Sequence, residues 1–267
     1  MESTCHKSNV KAHPLLLGIF FLYPCLCFSQ TRVHPNAHAH NDYEHVRPLK
    51  EALQNGFNSV EADVHLYKGE LRVGHNFATD QSPTLQELYL VPLDSLINAN
   101  KGSVYAGAQQ PFFLMIDLKT NGEETFRVLK NVLNKYEKLL CTEQACPVTI
   151  FLSGQRPLNT IVKEGAGIGI DGRPDDLGKH YPVTLMPVIS DTFKNWSAWD
   201  GKNAMDEKDL QRIKALAQRV HAEGKKLRLW AIPDTETAWK VLLDGGVDLI
   251  NTDHLPELNA FLTSKGL

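Results

Sequence analysis

The chain has 267 residues, with 28 Lys and Arg against 31 Asp and Glu, giving a net charge of −3. It contains no basic run, which excludes the cationic stripe a nucleic-acid binder needs and gives no electrostatic pull toward an anionic membrane. The length suits one large domain.

Residues 1–13 are polar and carry Lys7 and Lys11; an apolar run from Leu15 to Phe28 follows, with Pro24 near its end, then Ser29 and Gln30. A basic start, a short apolar stretch and a small residue before polar sequence describe a secretory signal peptide. The run falls short of the roughly 20 apolar residues of a membrane span. Cleavage near Ser29 is expected, so residues 1–29 are read as signal peptide and 30–267 as one barrel domain. The remaining chain, of charge about −4, is then secreted or periplasmic, without an integral membrane segment, and a monomer. Cys5, Cys25 and Cys27 leave with the leader. Cys141 and Cys146 remain, four residues between them, and in an oxidising compartment they are expected to form a local disulfide.

From there short apolar strands alternate with amphipathic segments. A strand over Val33–His40 precedes a helix over Pro48–Asn55, which Gly56 ends. A strand over Ser59–Leu66 turns at Lys68-Gly69-Glu70 into Leu71–Val73, a small hairpin, before a helix over Leu85–Ile97. Then come a strand at Phe112–Lys119, a helix at Glu123–Leu140, a strand at Val148–Ser153, a helix at Leu158–Glu164, and strands at Gly167–Asp171 and Thr184–Ser190. The last elements are a helix at Glu207–Glu223 with Gly224 behind it, a strand at Leu227–Ile232, a helix at Glu236–Leu242 closed by Gly245-Gly246, a strand at Asp248–Thr252 and a helix at Pro256–Thr263. Eight β-α units imply an α/β fold with a parallel sheet, closed as a (β/α)8 TIM barrel. The absence of Gly-x-Gly-x-x-Gly after the first strand weakens an open dinucleotide-binding sheet.

In such a barrel the chemistry sits at the C-terminal ends of the strands. The first strand ends in His38-Ala39-His40-Asn41-Asp42. The second carries Glu61 and Asp63 two residues apart, hence on one face, and the third carries Asp117 and Lys119 in the same relation. Burying one carboxylate among Val, Met and Ile costs several kcal/mol unless something compensates, and three at one barrel mouth also repel one another. A hard divalent ion, Mg²⁺ or Ca²⁺, is the economical remedy; ion pairs with Lys119 or Arg72 are the alternative. His40 and His75 flank these acids in sequence, and two imidazoles across a metal-held phosphate can serve as base and acid. His65, His180, His221 and His254, with His34 and His45, read as surface or capping residues; His38 stays ambiguous. Trp230 either lines the pocket or fills the barrel core. The aromatic loop Asp191–Asn203 reads as packing over the rim, with contact to a lipid-like substrate as the alternative.

The segment His38-Ala-His-Asn-Asp-Tyr43, then Pro48-Leu49, Ala52-Leu53, Gly56, Glu61-Ala-Asp-Val64 and Gly74-His75 resembles the phospholipase-C-like phosphodiesterase superfamily. That superfamily includes glycerophosphodiester phosphodiesterases and sphingomyelinase D enzymes. The His-Asn-Asp-Tyr form is most similar to the branch related to the altered-inheritance-of-mitochondria proteins. Leu229-Trp230 and Asn251-Thr252-Asp253 resemble the family's later strands. The resemblance implies a phosphoric diester hydrolase with His40 and His75 as catalytic pair and Glu61, Asp63 and Asp117 as ligands of one divalent metal. It implies Lys119 as a phosphate contact and Asn41 and Trp230 as further substrate contacts. A glycerophosphodiester, a phosphoinositide or a lysophospholipid-like molecule would be the substrate. The chain departs from the glycerophosphodiesterases where Asn41-Asp42 stand in place of Arg-Gly, which leaves Lys119 and Arg173 as candidate phosphate cations.

Two other readings compete. His38-x-His40 also suits a metal-dependent amidohydrolase, but that class needs histidines on later strands, and Gly167–Asp171 and Thr184–Ser190 hold none. The other is a secreted binding protein that kept the fold and lost turnover.

Overall fold

In the computed structural model, eight of the nine strands among the described residues close on themselves in parallel. They are β1 (His34–Ala39), β2 (Phe57–Tyr67), β4 (Phe112–Leu118), β5 (Val148–Gly154), β6 (Gly169–Gly172), β7 (Val188–Thr192), β8 (Lys226–Trp230) and β9 (Leu249–Thr252). β1 pairs with both β2 and β9, which closes the barrel. The remaining strand, β3 (Glu70–Val73), runs antiparallel to β2 as the expected hairpin. The structure describes residues 32–165 and 167–267 together with Met1, Glu2 and Thr4, so the signal-peptide reading of 1–29 lies outside the described residues. Among the described residues no helix is long and apolar enough to cross a membrane.

Among the described residues seven helices cover the barrel: α1 (Lys50–Gln54), α2 (Val91–Ala99), α3 (Gly122–Leu133), α4 (Leu158–Glu164), α5 (Glu207–Ala222), α6 (Glu236–Asp244) and α7 (Leu255–Lys265). Two elements depart from the sequence pattern. The strand expected from Thr184 starts at Val188, because Pro187 has no N–H to give to a ladder. Between β6 and β7, where no helix is expected, a 3-10 turn forms at Pro174–Asp176. The helix expected to reach Leu140 stops at Leu133, followed by a short 3-10 turn at Glu137–Leu139. Cys141 and Cys146 form the expected disulfide.

Strand alternation sorts the core into two regions. Outward residues such as Val60, Ala62, Leu114, Ile116, Ile150, Leu152, Leu227 and Leu229 pack under the helices in the main cluster. Inward residues differ with height. Toward the strand N-termini Phe113, Met115, Phe151, Val188 and Leu249 form a separate apolar plug, with Phe113 and Phe151 edge to face at 6.2 Å. Above it the inward positions are polar: Glu61 and Asp63 on β2, Asp117 on β4, Ser153 on β5, Asp171 on β6, Ser190 on β7, Arg228 on β8 and Asn251 on β9.

Candidate active site

Register brings the acids together. Asp63 stands opposite Asp117, and Glu61 opposite Met115 one step below. Glu61, Asp63 and Asp117 each offer a carboxylate oxygen, and these oxygens lie within 4.8 Å of one another. Glu61 and Asp63 are buried and Asp117 nearly so. The ion-pair alternative is half right. Lys119 Nζ donates to Asp63 Oδ2 at 2.9 Å and sits 3.4 Å from Asp117 Oδ2. Arg72 bonds instead to Glu70 and to the Ser82 carbonyl, and it pairs with none of the three acids.

The cation for Glu61 was not foreseen. Arg228, on the far side of the barrel, donates from Nη2 to Glu61 Oε2 at 3.2 Å and from Nε to Asn251 Oδ1 at 3.1 Å. Burial alone pushes the Glu61 carboxyl up, but Arg228 and the neighbouring His38 outweigh it and hold it down at about 2. Burial likewise raises Asp117; Lys119 opposes the rise, and the negative charges of Asp63 and Glu61 add to it. Arg228 could have been found by the rule that found the acids, since it interrupts Leu227 and Leu229 at an inward position.

The two predicted catalytic histidines both reach the triad, His40 at Glu61 and His75 at Asp63. His40 Nδ1 lies 2.9 Å from Asp253 Oδ1, and its Nε2 is 3.9 Å from Glu61 Oε2. Burial lowers the His40 pKa, but Asp253 and Glu61 raise it more, so the net direction is upward. His75 follows the hairpin, where Gly74 N–H donates to the Asp63 carbonyl. Its Nδ1 is 3.1 Å from Asp63 Oδ2 and 2.9 Å from the Tyr43 hydroxyl. Tyr43 OH reaches Asp63 Oδ2 at 2.7 Å and Asn41 Oδ1 at 2.9 Å, which joins Asn41 to the same network. His65, read as a surface or capping residue, is buried and bonded to the Gly74 carbonyl at 2.9 Å, which secures the turn that presents His75. His34 is also buried, between the Leu267 carbonyl and Asn259.

His38 is fully buried, with Nδ1 2.6 Å from Ser59 Oγ and Nε2 3.7 Å from Glu61. Burial pulls its pKa down to about 4, so it is neutral near pH 7. Its Nε2 faces Glu61, and among the described residues it is not one of the groups whose ligand atoms converge for a metal. Trp230 is 41% exposed and therefore belongs to the mouth, not the core. Beside His40 a pocket of 190 Å³ opens between Ala231, Asp234, Asn251 and Asp253. Phe193 is buried and Trp196 and Trp199 pack against the main core, so the aromatic loop covers the rim as expected. Arg173 is held by Asp171, whose Oδ2 accepts its Nη1 at 2.9 Å.

The model for the AIM6-like phosphodiesterase domain matches residues 28–166, more than half of the chain. The chain belongs to that family. The glycerophosphoryl diester phosphodiesterase family matches again over residues 226–256, which hold Arg228, Trp230, Asn251 and Asp253. Among similar proteins, "Altered inheritance of mitochondria protein 6" of Lachancea thermotolerans is 26% identical over 85% of this chain and 65% of its own length. The homolog from Arthroderma benhamiae is 26% identical over 82% of this chain and 81% of its own length. The Eremothecium gossypii protein is 26% identical over 86% and 69%. The chain thus spans a little under two thirds of the Lachancea relative.

Proposed function

We propose that this protein is a metal-dependent phosphoric diester hydrolase that works by paired histidine acid-base catalysis. The observation that carries the reading is the triad of Glu61, Asp63 and Asp117 between two histidines, each with Nδ1 committed to a carboxylate. The triad fits a divalent cation: all donors are oxygens, as Mg²⁺ and Ca²⁺ require, and Asp63 Oδ1 is buried without a hydrogen-bond partner. A bound cation would supply Lewis-acid stabilisation of a non-bridging phosphate oxygen.

The protein's own groups do the rest. Lys119, already between Asp63 and Asp117, supplies positive charge at the developing phosphorane. Asp253 accepts from His40 Nδ1–H, which leaves the Nε2 lone pair free as the base that deprotonates the nucleophile. On the other side Asp63 and Tyr43 orient His75, which protonates the leaving alkoxide. The nucleophile is water or a substrate hydroxyl, the latter giving a cyclic phosphate first. Trp230 and Asn41 complete the substrate face, for a glycerophosphodiester, phosphoinositide or lysophospholipid-like molecule. Export by the leader at 1–29 is part of the same reading; the Cys141–Cys146 disulfide supports it.

Hydrolysis of bis-p-nitrophenyl phosphate and of lysolipids, followed by ³¹P NMR, tests the proposal. Turnover should require Mg²⁺ or Ca²⁺, and His40→Ala and His75→Ala should each lower kcat by about 10²- to 10⁴-fold. Turnover unchanged in both variants would refute it. Metal binding without any turnover would favour an inactive binding protein.

A further inference from the structure

We propose that Arg156 and Arg173 form a second anion-binding subsite, so that the preferred substrate is a phosphodiester carrying a further anionic group such as a phosphomonoester. This rests on the phosphodiesterase reading above. Arg156 follows β5 and Arg173 follows β6, both at the C-terminal rim. Their Nη1 atoms donate to the same oxygen, the Asp171 carbonyl, at 2.6 Å and 3.1 Å. The two guanidinium groups are therefore no further apart than those two bonds laid end to end. Crowding of two cations with burial costs energy, and burial followed by Arg173 pulls the Arg156 pKa downward. A shared anion would relieve that cost.

Local charge points the same way. Asp171 is fully buried and saturated: Ser190 and Ser153 hydroxyls donate to it at 2.5 Å and 2.8 Å, Arg173 at 2.9 Å, and Arg228 stands 4.0 Å away. Asp176 serves Lys179 at 2.9 Å and Arg156 at 3.7 Å. Two buried carboxylates thus face more cations than they can neutralise; Asp175 is exposed and in no ion pair among the described residues. No acceptor among the described residues is matched to Nε or Nη2 of Arg156, or to Nε of Arg173, and both side chains are partly exposed. Planar guanidinium edges of this kind bind phosphate in bidentate fashion.

The position suits one substrate with two charges. Arg173 Nη2 lies 3.5 Å from Ser153 Oγ, and Ser153 stands in register with Asp117 of the triad. Strands are about 4.8 Å apart, so the second anion would sit roughly 5–10 Å from the scissile phosphate, a spacing a phosphorylated headgroup can span. The mouth is thereby divided: acids on β2 and β4 for a cation, arginines over β5 and β6 for an anion.

Two measurements test it. Inorganic phosphate is titrated, by ³¹P line broadening, into full-length protein freed of metal on a chelating resin. The wild type should bind saturably, and the double variant Arg156→Gln/Arg173→Gln should bind at least about 10-fold more weakly. Equal binding, or none by the wild type, would overturn the subsite. Because Arg173 also anchors Asp171, Arg156→Gln alone and Arg173→Lys serve if the double variant does not fold: the first should weaken binding and the second retain most of it. Separately, kcat/KM is compared for two diesters that differ only by a phosphomonoester on the alcohol. The wild type should prefer the doubly charged one by about 10-fold or more, and the double variant should lose that preference. Hydrolysis of both diesters without preference refutes the subsite alone; phosphate binding that the variants lose, with neither diester cleaved, refutes the phosphodiesterase reading alone.

Discussion

The two halves of the barrel interior solve opposite problems. Toward the strand N-termini the lumen is filled by Phe113, Met115, Phe151, Val188 and Leu249, an apolar plug. Toward the C-termini the same strands turn inward Glu61, Asp63, Asp117, Asp171 and Arg228, charges that burial alone would forbid. They persist because each has a cation beside it: Glu61 has Arg228 from across the lumen, Asp63 and Asp117 have Lys119 at the end of β4, and Asp171 has Arg173 at the end of its own strand. One half supplies stability, and the other spends part of it on a charged, pre-organised mouth.

That division can be broken in measurable ways. Phe151 is fully buried in the plug, and Phe151→Ala should cost about 3–5 kcal/mol in denaturant unfolding. The variant should keep its response to divalent metal; loss of both together would mean the halves are not separable. Gly154→Ala strikes at the boundary of the mouth. Gly154 has φ of +65°, and an added Cβ would fall 2.1 Å from Asp117 Oδ1 and 2.5 Å from the Leu118 carbonyl. Displacing the Asp117 carboxylate should lower metal affinity and turnover about 10- to 100-fold, measured by metal titration of activity.

The smallest effect comes from Asp42, a buried acid outside the lumen. Its Oδ2 accepts from Leu49 N–H and Tyr89 OH, but among the described residues Oδ1 has no partner and no cation is paired with it, so burial raises its pKa to about 6. Glu61, equally buried but beside Arg228, goes the other way. A folded pKa above the unfolded value of 3.8 means the folded state holds the proton more tightly. The stability contributed is then present below pH 3.8 and is lost as pH rises through about 6. Asp42→Asn should flatten this fall by about 1–2 kcal/mol between pH 4 and 7, seen in urea unfolding at both pH values.

The fold and the acidic triad were legible because each depends on local pattern. β2 and β4 are apolar runs interrupted at alternate positions, and two-residue spacing places Glu61 with Asp63 and Asp117 near Lys119 whatever the rest of the chain does. The partners that make these charges tolerable were not legible. Arg228 is 167 residues from Glu61, Asp253 is 213 from His40, and only closure of the barrel brings them together. Tyr43 stands in the motif His38–Tyr43, yet its place as the link between Asp63 and His75 needs the hairpin turn to be formed. The β6–β7 segment misled in a different way: Pro182 and Pro187 interrupt an apolar stretch whose hydrophobicity alone reads as a longer strand.

Thermal unfolding in Mg²⁺ or Ca²⁺ against chelator, for the wild type and for Glu61→Gln, Asp63→Asn and Asp117→Asn, reads metal binding by the triad without any substrate. Saturating cation at about 100 times Kd adds roughly 2.7 kcal/mol, so the wild-type Tm should rise by about 5–10 °C and the three variants should show little or no rise. A wild-type Tm unmoved by both cations, or variants that shift as far as the wild type, would contradict a metal centre at Glu61, Asp63 and Asp117.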